Sequence, residues 1–576
     1  MPSARDEPLI PLVVVGDRAV LMHGGRPVVG AATDVVARAA DLERREHPRW
    51  AVASAGSGLA RMLAVGVAVA RAWDVAEAHR LLFGGWRADP AYAWARLRGL
   101  DPGGMPRARD PDSLLDLLDP ADEQAAPDKD PQAPVAPSGY LRRDAWDPVR
   151  LGSETALTGL ARWLAGCAGL QRDRLSEIGP RAVATAASES AAAVLALELE
   201  RDGLPVDRQI AERLIAVAAG RRPVDDTDAA AIRGHRDRQV LRHAPGHERT
   251  DLRHPAQVKR LLSAVGVDVP TTRAGALEPY RAAYPLVEAL LRWRKDERIA
   301  TTYGYRWLDE HVGSDGRLRG GWTACDGAAG RMTAQHGLHN LPTALRAAVV
   351  AEAGHVFVRA DLGQVEPRVL AVVSGDPALA AASSADDLYA PVAARLGVAR
   401  PVAKVAVLAA MYGQRTGAAG AALDQLRRAY PVAMDMLDEA YRAGVRRRPM
   451  RTFGGRRLPL DDALPPPPDV STTGLAALDA ARGRYARNAV IQGSAAELFK
   501  AWAATVRHAL AGSPARIVLC LHDELLVHTP TSQAAEVAEA VGRALVDASR
   551  RWAGTDVVRF VADVAVVRSW AEAKTP

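Results

Sequence analysis

The chain has 576 residues, 48% of them apolar and 25% charged, with a net charge of +6 and three scattered cysteines, Cys167, Cys325 and Cys520. That length allows several domains and a sizeable core, while the cysteine spacing excludes a disulfide framework and a cysteine zinc site. Met1–Glu7 shows no basic region leading into an apolar stretch, and no apolar run reads as a bilayer span, so a cytoplasmic protein without a membrane partner is expected. The pI of about 9.3 suits a polyanionic partner, although arginine-rich, lysine-poor usage also follows from GC-rich coding.

Leu9 to Val29 alternates short apolar runs with Gly16-Asp17 and Gly24-Gly25, which predicts a small hairpin sheet. Helices are expected over Thr33–Arg45, Leu59–Ala70 and Asp74–Leu82, with a strand at Trp50–Ala53, giving an α/β domain over about the first 180 residues. Asp119–Ser138, rich in Pro, Ala, Asp and Gln, reads as a disordered insertion. From Ser188 the pattern becomes helical, with Gly203 as a C-cap and Asp207 opening the next helix. Pro285–His311 reads as one long amphipathic helix, and beyond Gly316 the pattern is mixed α/β.

Three stretches carry the chemistry. A strand from His355 to Ala360 delivers Asp361, followed by Gln364 and Glu366. Arg400, Lys404, Leu408 and Tyr412 recur every fourth residue and so share one broad helical face, with Pro401 in the first turn. Two basic residues at a helix start suit a bound anion, phosphate above all. Finally, His522-Asp523-Glu524 sits between the apolar runs 516–521 and 525–528, at the bend of a predicted hairpin. Converging carboxylates repel one another unless a cation joins them, so a divalent metal is the natural ligand; the bland alternative is a solvated turn with ordinary surface acids.

In this order these stretches resemble the motifs of family A DNA polymerases, the bacterial DNA polymerase I class. Asp361-Leu-Gly-Gln-Val-Glu366-Pro-Arg is similar to the first polymerase motif, Arg400-Pro-Val-Ala-Lys404 with Tyr412-Gly413 to the fingers-helix motif, and His522-Asp523-Glu524 to the third. Gly330-Arg331 leading to Asn340-Leu-Pro342, Thr452-Phe-Gly-Gly-Arg456-Arg457 and Asn488-Ala-Val-Ile-Gln492-Gly493 match as well. The resemblance implies a template-directed DNA polymerase working on primer-template DNA and dNTPs, as a monomer. Asp361 and Asp523 would hold two Mg²⁺ ions, with Mn²⁺ able to substitute and Glu524 auxiliary. Arg400 and Lys404 would grip phosphates, Lys404 protonating the departing pyrophosphate. Gln364, Glu366, Leu408 and Tyr412 would complete the nucleotide site, Glu366 excluding ribose. Arg331, Arg456, Arg457, Arg484, Asn488, Gln492 and His522 would hold DNA, and donors aimed at minor-groove acceptors test pairing without reading sequence.

The implied architecture is an α/β, RNase H-like 3′–5′ exonuclease-like domain over residues 1–187 and an α+β right hand over 188–576. The thumb would occupy about 200–310, the palm about 320–375 and 513–576, and the fingers about 376–512. A 5′-nuclease domain has no room. Family exonuclease acids are missing: Asp41-Leu-Glu43 lies in a predicted helix, Gly58 stands where an aspartate belongs, and only Asp74 matches, so proofreading is not expected. Leu362, Gly363, Pro367, Tyr389, Leu408 and Cys520 also depart from the family pattern, which points to altered sugar selection. The competing readings are a phage-type RNA polymerase, which Glu366 and Asn488…Gln492 disfavour, a proofreading nuclease, and a catalytically silent DNA-binding scaffold, which a matched set of Asp361, Asp523, Lys404 and Arg400 disfavours.

Overall fold

The computed structural model describes residues 8–106, 130–413, 419–460, 472–521 and 523–572. The chain divides into two compact units. One comprises Met1–Asp202, Gly321–Ala334 and Val358–Val566; the other comprises Gly203–Gly320, Gln335–Phe357 and Val567–Pro576.

The first unit opens with strands β1 (Leu9–Val15), β2 (Arg18–His23) and β3 (Arg26–Ala31), helix α1 (Ala32–Glu46), β4 (Arg49–Val52) and β5 (Arg71–Asp74), in the sheet order β3-β2-β1-β4-β5. β1 to β3 form antiparallel hairpins, and β4 and β5 add in parallel. Gly24 and Gly25, both at positive φ, make the two-residue turn between His23 and Arg26 that the strand twist favours. Helix α1 buries Val35, Val36, Ala39 and Ala40. The helix expected from Leu59 to Ala70 is only two short turns, Ala55–Gly58 and Ala60–Ala64, ended by Gly66 at φ +80. Asp74 ends β5 and caps α2 (Val75–Phe83).

Two long helices follow, α3 (Glu154–Ile178) and α4 (Pro180–Asp202). The first has no counterpart in the sequence reading, and the second starts eight residues before Ser188, with Pro180 in its first turn after Gly179. Of the expected disordered insertion, 119–129 lies outside the described residues. Residues 130–138 are built into the unit instead: Val135 bridges to Leu141, and Arg142 and Arg150 donate to the Ala133 carbonyl. By length and composition α4 could cross a bilayer, contrary to the sequence expectation, but two-thirds of its apolar window is buried inside the protein.

No boundary falls at residue 187. Gln171 of α3 accepts from Trp73 Nε1 (3.0 Å), and Ser190 of α4 accepts from the Asp74 amide (2.9 Å). After β6 (His355–Gly363), α5 (Val365–Ser374) and α6 (Arg400–Tyr412), the 38-residue helix α7 (Thr472–Ala509) packs along α4. Arg507 of α7 pairs with Glu198 of α4 at 2.7 Å and donates to the Val69 carbonyl. The unit ends with β7 (Arg516–Leu521), β8 (Glu524–Pro530), α8 (Ala534–Ala553) and β9 (Val561–Val567); β6 to β9 form one sheet in the order β7-β8-β6-β9.

The second unit is mainly helical, with a core of Val240, Leu261, Leu262, Val287, Leu290 and Trp293 among others. Asp207 caps the helix Arg208–Ala219 by accepting from the Ile210 amide. The expected helix Pro285–His311 is two, Pro285–Thr302 and Tyr305–His311. Gly304 breaks it by turning extended, while the Tyr303 hydroxyl anchors the break on the Gly337 and Asn340 carbonyls. This unit also takes in 335–357 and the end of the chain, so residues assigned above to the palm are shared between the two units.

Candidate active site

Strand pairing brings the carboxylates together. Leu521 pairs with Glu524, and Asp523 lies directly before β8; His522 lies outside the described residues. Strand β6 neighbours β8, and the Leu362 amide donates to the Asp523 carbonyl at 2.8 Å. Asp361 and Asp523 are therefore neighbours on the two central strands of the sheet, close to the turn between β7 and β8. Burial, and after it the nearby carboxylates of Asp361, Glu524 and Glu366, push the Asp523 carboxyl up to about 6. Oxygen donors crowded to this degree fit a hard divalent cation.

Sequence reasoning missed Arg359. It lies two residues before Asp361, hence on the same face of β6, and is only 2% exposed. Its Nη2 donates to Asp361 Oδ2 at 2.7 Å, and its Nε bonds Glu524 Oε1, so Glu524, 6% exposed, faces an arginine. The signal was a single charge inside the otherwise apolar run Val356-Phe-Val-Arg359-Ala.

Helix α6 buries Ala403, Ala406, Val407 and Ala410 and turns Arg400, Lys404 and Tyr412 outward, with Leu408 half-buried between them. Lys404 makes no hydrogen bond or ion pair among the described residues. Arg400 grips Asp387 through two bonds, of 2.6 and 3.2 Å, which hold that carboxyl below its usual range. Gln364, in the left-handed region at φ +56, completes the group: its amide donates to Asp387 at 2.8 Å and its carbonyl accepts from the Leu388 amide at 2.7 Å. Asp387 is thus a second residue that sequence reasoning passed over. The loop bearing it is fixed by the fully buried Arg368, which donates to the carbonyls of Ser383, Ala385, Asp386 and Arg559. Tyr389 is buried, and its hydroxyl is pushed up to about 12 by burial and then by Glu366, so it stays neutral. Gly363 has a near neighbour in Val561, whose Cγ2 would lie 3.0 Å from any added Cβ.

A second cluster ties the end of α6 to the start of α5. Tyr412 donates to Glu366 Oε2 at 3.2 Å, and Gln492 hydrogen-bonds both. Burial raises the Glu366 carboxyl, while Tyr412 and the nearby Arg331 oppose the rise. Arg484, Asn488 and Gln492 follow one another every fourth residue on α7; Arg484 is exposed, the others half-buried. The Asn488 Oδ1 is buried with no hydrogen-bond partner among the described residues. Buried Arg487 donates to the Ala410 carbonyl (2.7 Å) and to Asp438 (2.6 Å), clamping the last turn of α6.

Two of the residues that the resemblance places on DNA are turned elsewhere. Arg456 is 2% exposed and pairs with fully buried Glu189 at 2.6 Å, while Lys500 bonds the same carboxylate and the Gly330 carbonyl (2.6 Å). A cation this deep needs a partner, and α4 supplies it. Arg457 is half-buried and donates to the Phe83 carbonyl.

A family model described as DNA polymerase family A matches residues 239–572. DNA polymerase I of Chloroflexus aurantiacus is 32% identical over 290 residues, 45% of this chain and 30% of that protein. The thermostable DNA polymerase I of Thermus filiformis is 29% identical over 337 residues, 53% of this chain and 38% of that one. The chain thus spans about a third of the length of these curated relatives, 30% of one and 38% of the other. Among solved structures, the POL domain of Pol1 from M. smegmatis, in complex with DNA primer-template and dNTP, aligns with a TM-score of 0.68 at 21% identity, covering 98% of this chain and 95% of that one. The polymerase fold is shared.

Proposed function

The chain belongs to DNA polymerase family A, and from that premise we propose that it is a template-directed DNA polymerase adding dNTPs to a primer 3′-hydroxyl, without proofreading activity. The observation that carries this reading is the meeting of Asp361 and Asp523 at the two central strands of the sheet, with the open face of α6 tied to the same region by Tyr412 and Glu366.

Family A polymerases use divalent ions, and the donors here fit them. Asp361 and Asp523 would hold two, Mg²⁺ by the chemistry of their oxygens, with Mn²⁺ as a substitute. Such ions, when bound, activate the primer hydroxyl and neutralise the triphosphate. Lys404, exposed and unpaired among the described residues, would meet phosphate. Arg400 binds Asp387 through Nε and Nη2, which leaves Nη1 to meet phosphate while that pair holds. Glu366 and Tyr412 would form the sugar and stacking side of the site, and Arg331, Arg484, Asn488 and Gln492 the primer-template side.

The amino-terminal α/β region supports an exonuclease-like fold that has lost its chemistry. Asp74 spends both carboxylate oxygens on the Glu77 and Ala55 amides. Glu43 is buried against Trp50 Nε1 and the Ala70 amide, and Asp41 pairs with Arg45. At Gly58 an added Cβ would lie 2.4 Å from Val52 Cγ1, so an aspartate has no room there.

The test is a labelled primer-template with Mg²⁺, with and without dNTPs, beside Asp523→Ala. Extension abolished by the substitution, with no primer shortening when dNTPs are withheld, is expected. Extension by Asp523→Ala would overturn the assignment of the site, and shortening would overturn the reading of the first region.

A further inference from the structure

We propose that Arg359 is a resident cation of the carboxylate site, a positioning residue that holds Asp361 and Glu524 in place and lowers the affinity of the site for divalent ions. This rests on the polymerase reading above and goes beyond it, because neither the motifs nor the chemistry of two-metal sites calls for an arginine here.

Three observations lead to it. Arg359 is buried in the middle of a palm strand, where a charge is costly unless it is paired. Its two partners are the first aspartate of the site and the glutamate beside the second, bound through separate nitrogens of one planar group. A guanidinium cannot lose its proton at working pH, so the charge is permanent.

The consequences follow from charge and geometry. Arg359 offsets one of the carboxylates that crowd this site, so the site attracts a divalent ion less strongly than its acids alone would. It also occupies one acceptor position on Oδ2 of Asp361. Glu524, drawn towards the strand interior, is kept for orientation rather than coordination. Even with the screening of bulk water, a unit charge one side chain away changes the affinity for a divalent ion by on the order of tenfold.

Mn²⁺ binding to the full chain, without DNA or nucleotide, tests this by electron paramagnetic resonance. The signal of the site is defined as the fraction lost in Asp523→Asn. Arg359→Met is expected to tighten that fraction about tenfold, and Arg359→Lys, which keeps the charge, to stay near the parent protein. If the methionine variant does not fold, Arg359→Gln, which retains a hydrogen bond, carries the same expectation. Affinity within twofold of the parent, or weaker, in the neutral variant overturns the proposal and leaves Arg359 as a structural pair only. Parent binding that Asp523→Asn does not reduce would instead refute the metal-site reading itself.

Discussion

Replacing Glu189 by glutamine removes the anion that two buried cations share. Burial alone would raise this carboxyl, yet Arg456 and Lys500 beside it hold it below the usual carboxylate range. In the variant Lys500 keeps the Gly330 and Ala324 carbonyls, at 2.6 and 3.3 Å, and Arg456 keeps Cys325 Sγ at 3.2 Å, but none of these three partners carries charge. Breaking a buried pair from one side costs about 3–5 kcal/mol; because glutamine still accepts one hydrogen bond, a loss of about 3 kcal/mol is expected here. Urea unfolding followed by tryptophan fluorescence measures it. Lys500→Met should cost less in the Glu189→Gln background than alone, with a coupling of about 2 kcal/mol. A loss under about 1 kcal/mol for Glu189→Gln, or additive behaviour in the double variant, would refute the cluster as a source of stability.

Three further expectations follow from the same geometry. Glu77 and Glu497, raised by burial to about 7 and about 6, bind protons in the folded chain that the unfolded chain releases above its ordinary value near 4.5; stability should therefore fall as pH rises from 5 to 7, by at most about 1.4 kcal/mol per pH unit for each group, and Glu77→Gln should flatten that slope. A denaturation midpoint that climbs over this range would contradict the assignment. Arg487→Met frees the last turn of α6 from Ala410 and Asp438, so the dNTP KM should rise several-fold with a smaller change in kcat; steady-state extension kinetics decide, and an unchanged KM counts against the clamp. Glu366→Ala should raise rNTP incorporation relative to dNTP by about tenfold, the loss of one discriminating contact, read from single-nucleotide addition.

The motif order made the polymerase fold legible, because each motif pairs a local signal with the chemistry it serves. The pairing of β7 with β8 and the open face of α6 were readable from period alone, since both depend on neighbours in sequence. What escaped depends on partners far along the chain. Arg456 carries a surface-like residue type, and only the depth of Glu189, 267 positions earlier, reveals that it is buried. Asp387 and Arg359 lie outside any motif, and their roles appear only when β6, α6 and the intervening loop meet. The single helix expected over 285–311 failed because amphipathic period runs on through Gly304, whereas the backbone does not. Asp74 looked like a surviving catalytic acid because a cap and a ligand are the same residue type.

Helix α4 has consequences for how this protein could be shortened or recombined. It gives Ser190 to the sheet of the first region, Glu189 to the buried cations under the 452–457 loop and Glu198 to the long helix. A graft or deletion that treated the amino-terminal region as a detachable module would uncover α4 along one whole side and strand charges on the other. That region is therefore not free to be removed: it is masonry, and its worth lies in the part of the chain that it supports.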